Sequence, residues 1–156
     1  MIMKKAFTVI VVLLIFAIVG VAVAGIVVDE MTSKDLQAKL NSIAAPANSS
    51  VADSVSKTGK IHHTGALEYY GAILVQSQQN LGQLRSYYNA NKPAELNNIY
   101  VCALADYSSD PNLGDSFPPE LRFSHHDAAP QNYYIVYTWG EGQMPFPMFD
   151  YRSYVG

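Results

Sequence analysis

The residues best suited to metal chemistry are four histidines in two adjacent pairs, His62-His63 and His125-His126, the second pair followed by Asp127. Adjacent side chains diverge by about 100° on a helix and point to opposite faces on a strand, so each pair offers one ligand to a given ion. The most the chain could converge is one histidine from each pair with Asp127 or Glu68. The ligand spacings typical of zinc sites are missing. Surface loops are therefore the expected setting for the histidines, with no metal and no cofactor. The lone cysteine, Cys102, cannot form an intrachain disulfide. It lies in the apolar stretch Ile99-Tyr100-Val101-Cys102-Ala103-Leu104-Ala105, where a buried, inert thiol is expected rather than a nucleophile. Asp106 and Asp110 stand in a segment, Tyr107-Ser108-Ser109-Asp110-Pro111-Asn112, whose composition turn chemistry already explains. No Ser-His-Asp, Cys-His, HExxH, phosphate-loop or dinucleotide pattern occurs, and an enzyme is not expected.

The elements that would position any of these groups begin with a span of unusual apolarity. Residues 6–28, AFTVIVVLLIFAIVGVAVAGIVV, hold no charged side chain over 23 positions, long enough as a helix to cross a hydrocarbon layer of about 30 Å. Lys4 and Lys5 precede the span, and Asp29 and Glu30 follow it. By the positive-inside rule the N-terminus stays cytoplasmic and the C-terminal part crosses, as a single-pass protein of the cytoplasmic membrane. Ala22-Val23-Ala24 offers a signal-peptidase site before Gly25, but the apolar run exceeds the usual 7–15 residues of a signal and continues through Val28, which favours retention. The chain carries 10 Lys and Arg against 13 Asp and Glu; without Lys4 and Lys5 the net charge is about −5. Nucleic acid is thus excluded as an expected partner.

Beyond the span, 29–44 reads as a continuation of the helix, with Met31, Leu36, Leu40 and Ile43 at helical spacing. Thr32-Ser33-Lys34-Asp35 could instead cap a separate helix. Pro46 and the Asn-Ser run after it end the pattern, so 45–60 reads as a polar connector. Within it, Asn48-Ser49-Ser50 has the form of an N-glycosylation sequon, which matters in a host that uses such sites. Thr64 to Asn89 reads as an amphipathic helix on the spacing of Leu67, Tyr70, Leu74, Leu81, Leu84 and Tyr88. From Asn98 onward, Ile99 to Tyr107 and Tyr133 to Trp139 read as strands, with Leu121 to Ser124 and Met148 to Tyr154 as weaker ones. Alternation would set Tyr133, Ile135, Tyr137 and Trp139 on one face and Tyr134, Val136 and Thr138 on the other. These aromatics suit either a small core or an exposed patch for a partner. The expectation is an α+β fold: a long N-terminal membrane helix, a second amphipathic helix, and a small C-terminal antiparallel sheet of about three or four strands, the exported domain filling 61–156.

Lys4-Lys5-Ala6-Phe7-Thr8-Val9-Ile10, continued by Ala17-Ile18-Val19-Gly20, resembles the N-terminus of type IV pilins and of type II secretion pseudopilins. The resemblance covers about 25 residues. It implies a basic leader over 1–6, cleavage between Ala6 and Phe7, and a membrane helix over 7–28. That helix would pack against other subunits of an envelope assembly or filament through Phe7, Thr8, Ile10, Val11, Ala17 and Gly20. Two positions depart from the family: Ala6 where glycine is usual, and Val11 where glutamate is usual. A carboxylate in lipid needs a partner, in pilins thought to be a neighbouring subunit's N-terminal amine, and Val11 cannot supply one. This departure points toward a minor or initiating subunit, or toward a simple membrane-tethered envelope protein whose exported domain binds a protein or ligand.

Overall fold

The computed structural model describes residues 2–59, 67–96, 98–107, 123–124 and 132–142. A single helix, α1, runs unbroken over Ile2–Asn41, so the leader, the span and the continuation are one rod. Thr32 does not start a new helix: its Oγ1 donates back to the Val28 carbonyl at 2.9 Å, as an interior helical threonine does. The rod closes where Ser42 N donates to Ala38 O and Ser42 Oγ to Lys39 O, just before Pro46.

The chain then forms β1 (Ser49–Gly59), β2 (Leu67–Ser77), α2 (Leu81–Ala90), β3 (Tyr100–Ala103), the single turn α3 (Leu104–Tyr107) and β4 (Tyr133–Gly142). The four strands make one antiparallel sheet in the order β1-β2-β4-β3. The fold is α+β, as composition and periodicity indicate, but two elements differ from the reading above. The stretch 45–60 is not a connector, because most of it is β1, an edge strand with a bulge between Val51 and Asp53. Thr64 to Asn89 is not one helix: Leu67–Ser77 is β2, and the helix starts only at Leu81. Asn80 separates the two through a capping box. Its side chain accepts from Gln83 N at 2.9 Å, while Gln83 Oε1 accepts from Asn80 N at 3.0 Å. The strand expected over Ile99 to Tyr107 ends at Ala103 and turns into α3. Leu121 and Arg122, and Met148 to Tyr154, lie outside the described residues, whereas Phe123 and Ser124 are not in a strand.

Both faces of the sheet are buried. On one, the outer part of α1 lies over β1 and β2 and α2 lies over β3, enclosing Leu40, Ile43, Ile73, Val75, Leu84, Tyr88, Val101 and Val136. On the other, Tyr70, Ala72, Leu74, Cys102, Ile135 and Tyr137 pack with Phe123. The alternation along β4 is as expected, and its aromatics serve a core: Tyr100 stacks on Tyr137 with centroids 5.2 Å apart, and Tyr70 stacks on Trp139 at 6.1 Å. Asp53, beside the β1 bulge, ties down this second layer by accepting from Ser124 N at 2.6 Å.

Candidate functional site: a bare apolar helix on a polar joint

Helix α1 meets two different surroundings, and the change falls at Asp29. From Thr8 to Val28 no side chain is buried; Phe16 is 71% exposed and Leu13 62%. This stretch is apolar and long enough to cross a membrane. Its 21 residues at 1.5 Å each measure about 31 Å, the thickness of a bilayer's hydrocarbon core. From Asp29 onward one side of the helix is covered, with Asp29 3%, Ser33 1% and Leu40 0% exposed. A helix whose apolar residues are bare all round, joined to one with a single buried stripe, has its first part built for a non-aqueous or protein-lined setting.

The joint between the two parts is polar and specific. Asp29, Ser33 and Gln37 follow one another at four-residue steps, so they form a line along one side of α1. Each meets the sheet. Tyr69 Oη donates to Asp29 Oδ1 at 2.8 Å; Thr58 Oγ1 lies 2.8 Å from Ser33 Oγ and 3.1 Å from the Asp29 carbonyl; Gln37 Nε2 donates to Ser54 Oγ at 2.8 Å. The partners Ser54 and Thr58 lie on one face of β1, and their β2 neighbours are Ile73 and Tyr69. Helix and strand come so close here that no side chain fits between them. A Cβ on Gly71 would lie 2.6 Å from the Leu36 carbonyl carbon and 2.9 Å from Gln37 Cα. Glycine is therefore required by the close approach of two backbones. Further out, Leu40 and Ile43 continue the same helical side into the apolar core.

Of the residues singled out along α1, Thr8, Ile10, Val11, Ala17 and Gly20 are on its bare part, but they do not form one stripe. At 100° per residue Ile10 and Ala17 fall on nearly the same side, whereas Val11 and Gly20 fall opposite one another. Val11 is 37% exposed, and a Cβ on Gly20 would meet nothing within 4 Å. The backbones of Ala6 and Phe7 are helical and continuous with the rest. His62, His63, His125, His126 and Asp127 lie outside the described residues; among the described ones, no group of three or more His, Cys, Asp or Glu could hold a metal ion. Glu68, the other acid considered as a ligand, is 1% exposed on the face of the sheet away from α1.

Burial holds one thiol and two phenols of the domain, Cys102, Tyr88 and Tyr137, in their neutral forms. Burial pushes the Cys102 thiol up to about 12, outweighing the nearby Arg85, and its Sγ faces the Ile135 carbonyl at 4.0 Å. Burial also raises the Tyr88 phenol to about 12, with Tyr87 adding to the effect. Tyr137 is raised too, first by burial and then by Cys102 and Tyr100. A thiol held protonated in this way is a packing group and a poor nucleophile.

Sequence reasoning missed Asp29, Ser33, Gln37 and Gly71 as a positioning set. The available signal was the four-residue spacing of three polar side chains immediately after an apolar span. No family model, curated protein or solved structure matches the chain.

Proposed function

We propose that this chain is a membrane-anchored structural or assembly protein, a pilin-like or minor pseudopilin-like subunit. Its α1 resides in the cytoplasmic membrane before packing among other subunits, and its α+β domain stands outside. The observation that carries the reading is the division of α1 at Asp29: a bare apolar length of about 31 Å, then a part locked to the sheet by Asp29, Ser33, Gln37 and Gly71. A tether alone could be joined to its domain by a flexible linker. Here one unbroken helix carries both the bare stretch and the part bonded to the sheet, an arrangement that would set the direction in which the domain projects from a bundle of such helices. Lys4 and Lys5 on one side and Asp29 and Glu30 on the other support a cytoplasmic N-terminus. Ala6-Phe7-Thr8 supplies the processing junction.

The second reading is a bitopic envelope protein whose exported domain binds a protein or ligand while the helix only anchors it. Val11 favours this, because an aliphatic residue at that place cannot pair with a neighbouring subunit's amine. The two readings part at a single peptide bond, so the intact mass and N-terminal sequence of the membrane-extracted protein separate them. A mature chain beginning at Phe7 is the expected result. A start at Met1 or Met3 overturns the filament-subunit reading and leaves the tether. A start at Gly25 overturns both.

A further inference from the structure

We infer that Asn48, at the end of the described sheet away from the bare part of α1, is the acceptor of an N-linked saccharide. The inference rests on the reading that the domain stands outside the membrane. Helix α1 advances about 18 Å between Asp29 and Asn41, and the chain turns back into the sheet at Asn48. Among the described residues this is the end of the sheet away from the bare part of α1: β1 begins there, β2 ends there at Ser77, and β4 begins nearby at Tyr133. Asn48-Ser49-Ser50 meets the sequon requirement, with a hydroxyl two residues on and no proline between.

Several features of the structure make this sequon usable. Asn48 has φ of 59°, the left-handed conformation that asparagine tolerates, and this swings it out of the strand direction into a turn. Asn48 and Ser50 are exposed. The hydrogen bonds that tie this end together run through the Ser49 and Ser77 hydroxyls at 2.7 Å, Ser77 N to Asn132 O, Gln79 to Ala47 O, and the Asn48 carbonyl. They leave the Asn48 side-chain amide unused. Other asparagines are committed: the side chains of Asn80, Asn89 and Asn91 cap or brace α2, and none has Ser or Thr two residues on. Beside Asn48 opens a cleft of about 440 Å³, lined by Ser49, Ser50, Gln76, Ser77, Gln78 and Asn132. Amides and hydroxyls without a charge make a wall suited to the hydroxyls of a proximal sugar.

The chemistry is a glycosyl transfer from a polyprenyl pyrophosphate-linked saccharide, brought by a membrane transferase of the host. Asn48 Nδ2 attacks the anomeric carbon, the bond from that carbon to the pyrophosphate oxygen breaks, the amide passes one N–H proton to a basic group of the transferase, and the lipid pyrophosphate leaves with the electron pair of the broken bond. No redox change is involved.

The test is mass spectrometry of the full chain purified from its own host's membranes, with attention to the tryptic peptide Leu40–Lys57. That peptide should carry a saccharide mass on Asn48. Asn48→Gln and Ser50→Ala should both reduce its occupancy to background; Ser50→Ala should do so without moving the melting temperature, whereas glutamine at the left-handed position 48 should lower it slightly, and Ser50→Thr should retain the saccharide. An unmodified Asn48 in the native chain overturns the inference. So does a saccharide that survives Ser50→Ala. An impermeant lysine reagent, applied to the same spheroplasts before extraction, shows whether the export reading falls with it: modified lysines alongside a bare Asn48 overturn the glycosylation alone.

Discussion

Replacing Gly71 with alanine adds one methyl group at the point where α1 crosses β2. The new carbon would lie 2.6 Å from the Leu36 carbonyl carbon and 2.9 Å from Gln37 Cα, with Gln37 N nearer still. Carbon atoms rest at about 3.5–4.0 Å, so the helix must withdraw by about 1 Å. No rotamer relieves the contact, because every atom struck is backbone. The displacement stretches three links at once, Asp29 to Tyr69, Ser33 to Thr58 and Gln37 to Ser54, and draws Leu40 and Ile43 part-way out of the core. Overpacking in a well-filled site costs about 1–3 kcal/mol, and a clash of this kind belongs at the top of that range, about 3 kcal/mol. With a urea dependence of about 2 kcal/mol/M, the unfolding midpoint should fall by about 1.5 M. The assay is urea unfolding of the full chain in detergent micelles, followed by the fluorescence of its single tryptophan, Trp139, which stacks on Tyr70. Gly82→Ala is the control: its Cβ would meet only Asn80 Oδ1 at 3.4 Å, and alanine in α2 should raise stability by about 0.5 kcal/mol. A Gly71→Ala midpoint within about 0.3 M of the native value would refute the close-approach reasoning.

Tyr69→Phe removes the hydroxyl that donates to the buried Asp29 carboxylate at 2.8 Å and should cost about 2 kcal/mol in the same urea assay; an unchanged midpoint would mean that the joint adds nothing to stability. Alkaline pH should destabilise the domain. Cys102 and Tyr88 titrate from 9.0 and 10.0 in the unfolded chain and are held up to about 12 when folded, so above about pH 9 the unfolded state binds fewer protons than the folded one. Stability is then complete below pH 9 and declines by about 1.4 kcal/mol per pH unit per group toward pH 12; Cys102→Ala should remove the earliest part of the decline in a pH series of urea melts. Asn80→Ala, which dismantles the capping box of α2, should cost about 1 kcal/mol, and amide exchange in the first turn of α2 should quicken with it.

The α+β class and the single apolar helix were legible because each rests on a long, one-signed pattern: 23 uncharged residues in a row, and β-branched and aromatic runs between turn residues. β2 was not legible. It is buried on both faces, so Tyr69-Tyr70-Gly71-Ala72-Ile73-Leu74-Val75 is continuously apolar and shows no alternation, and Leu67, Tyr70 and Leu74 happen to run in phase with the true helix residues Leu81, Leu84 and Tyr88. The separating signal was present in Asn80 and Gln83, an N-cap and its reciprocal partner in the middle of the supposed helix. β1 was hidden for the opposite reason. Ser54 and Thr58 face Gln37, Ser33 and Asp29 across a polar contact, so a strand lying under a helix lacks the apolar face that marks most strands. Along α1, the bare stretch was readable from composition, while the joint depends on contacts between residues 29–37 and 54–71 that no local pattern carries.

The division of α1 at Asp29 can be read directly with variants that each add one cysteine, because the native Cys102 is buried and its thiol is held protonated. Phe16→Cys places a thiol in the bare apolar stretch, and Ala38→Cys places one on the exposed side of the sheet-packed part. A membrane-impermeant maleimide added to intact spheroplasts should label the cysteine at position 38 at once and leave that at position 16 unlabelled until the membrane is dissolved. Rapid labelling at position 16, or labelling at position 38 only after the spheroplasts are opened, would contradict a membrane-resident helix carrying its domain outside.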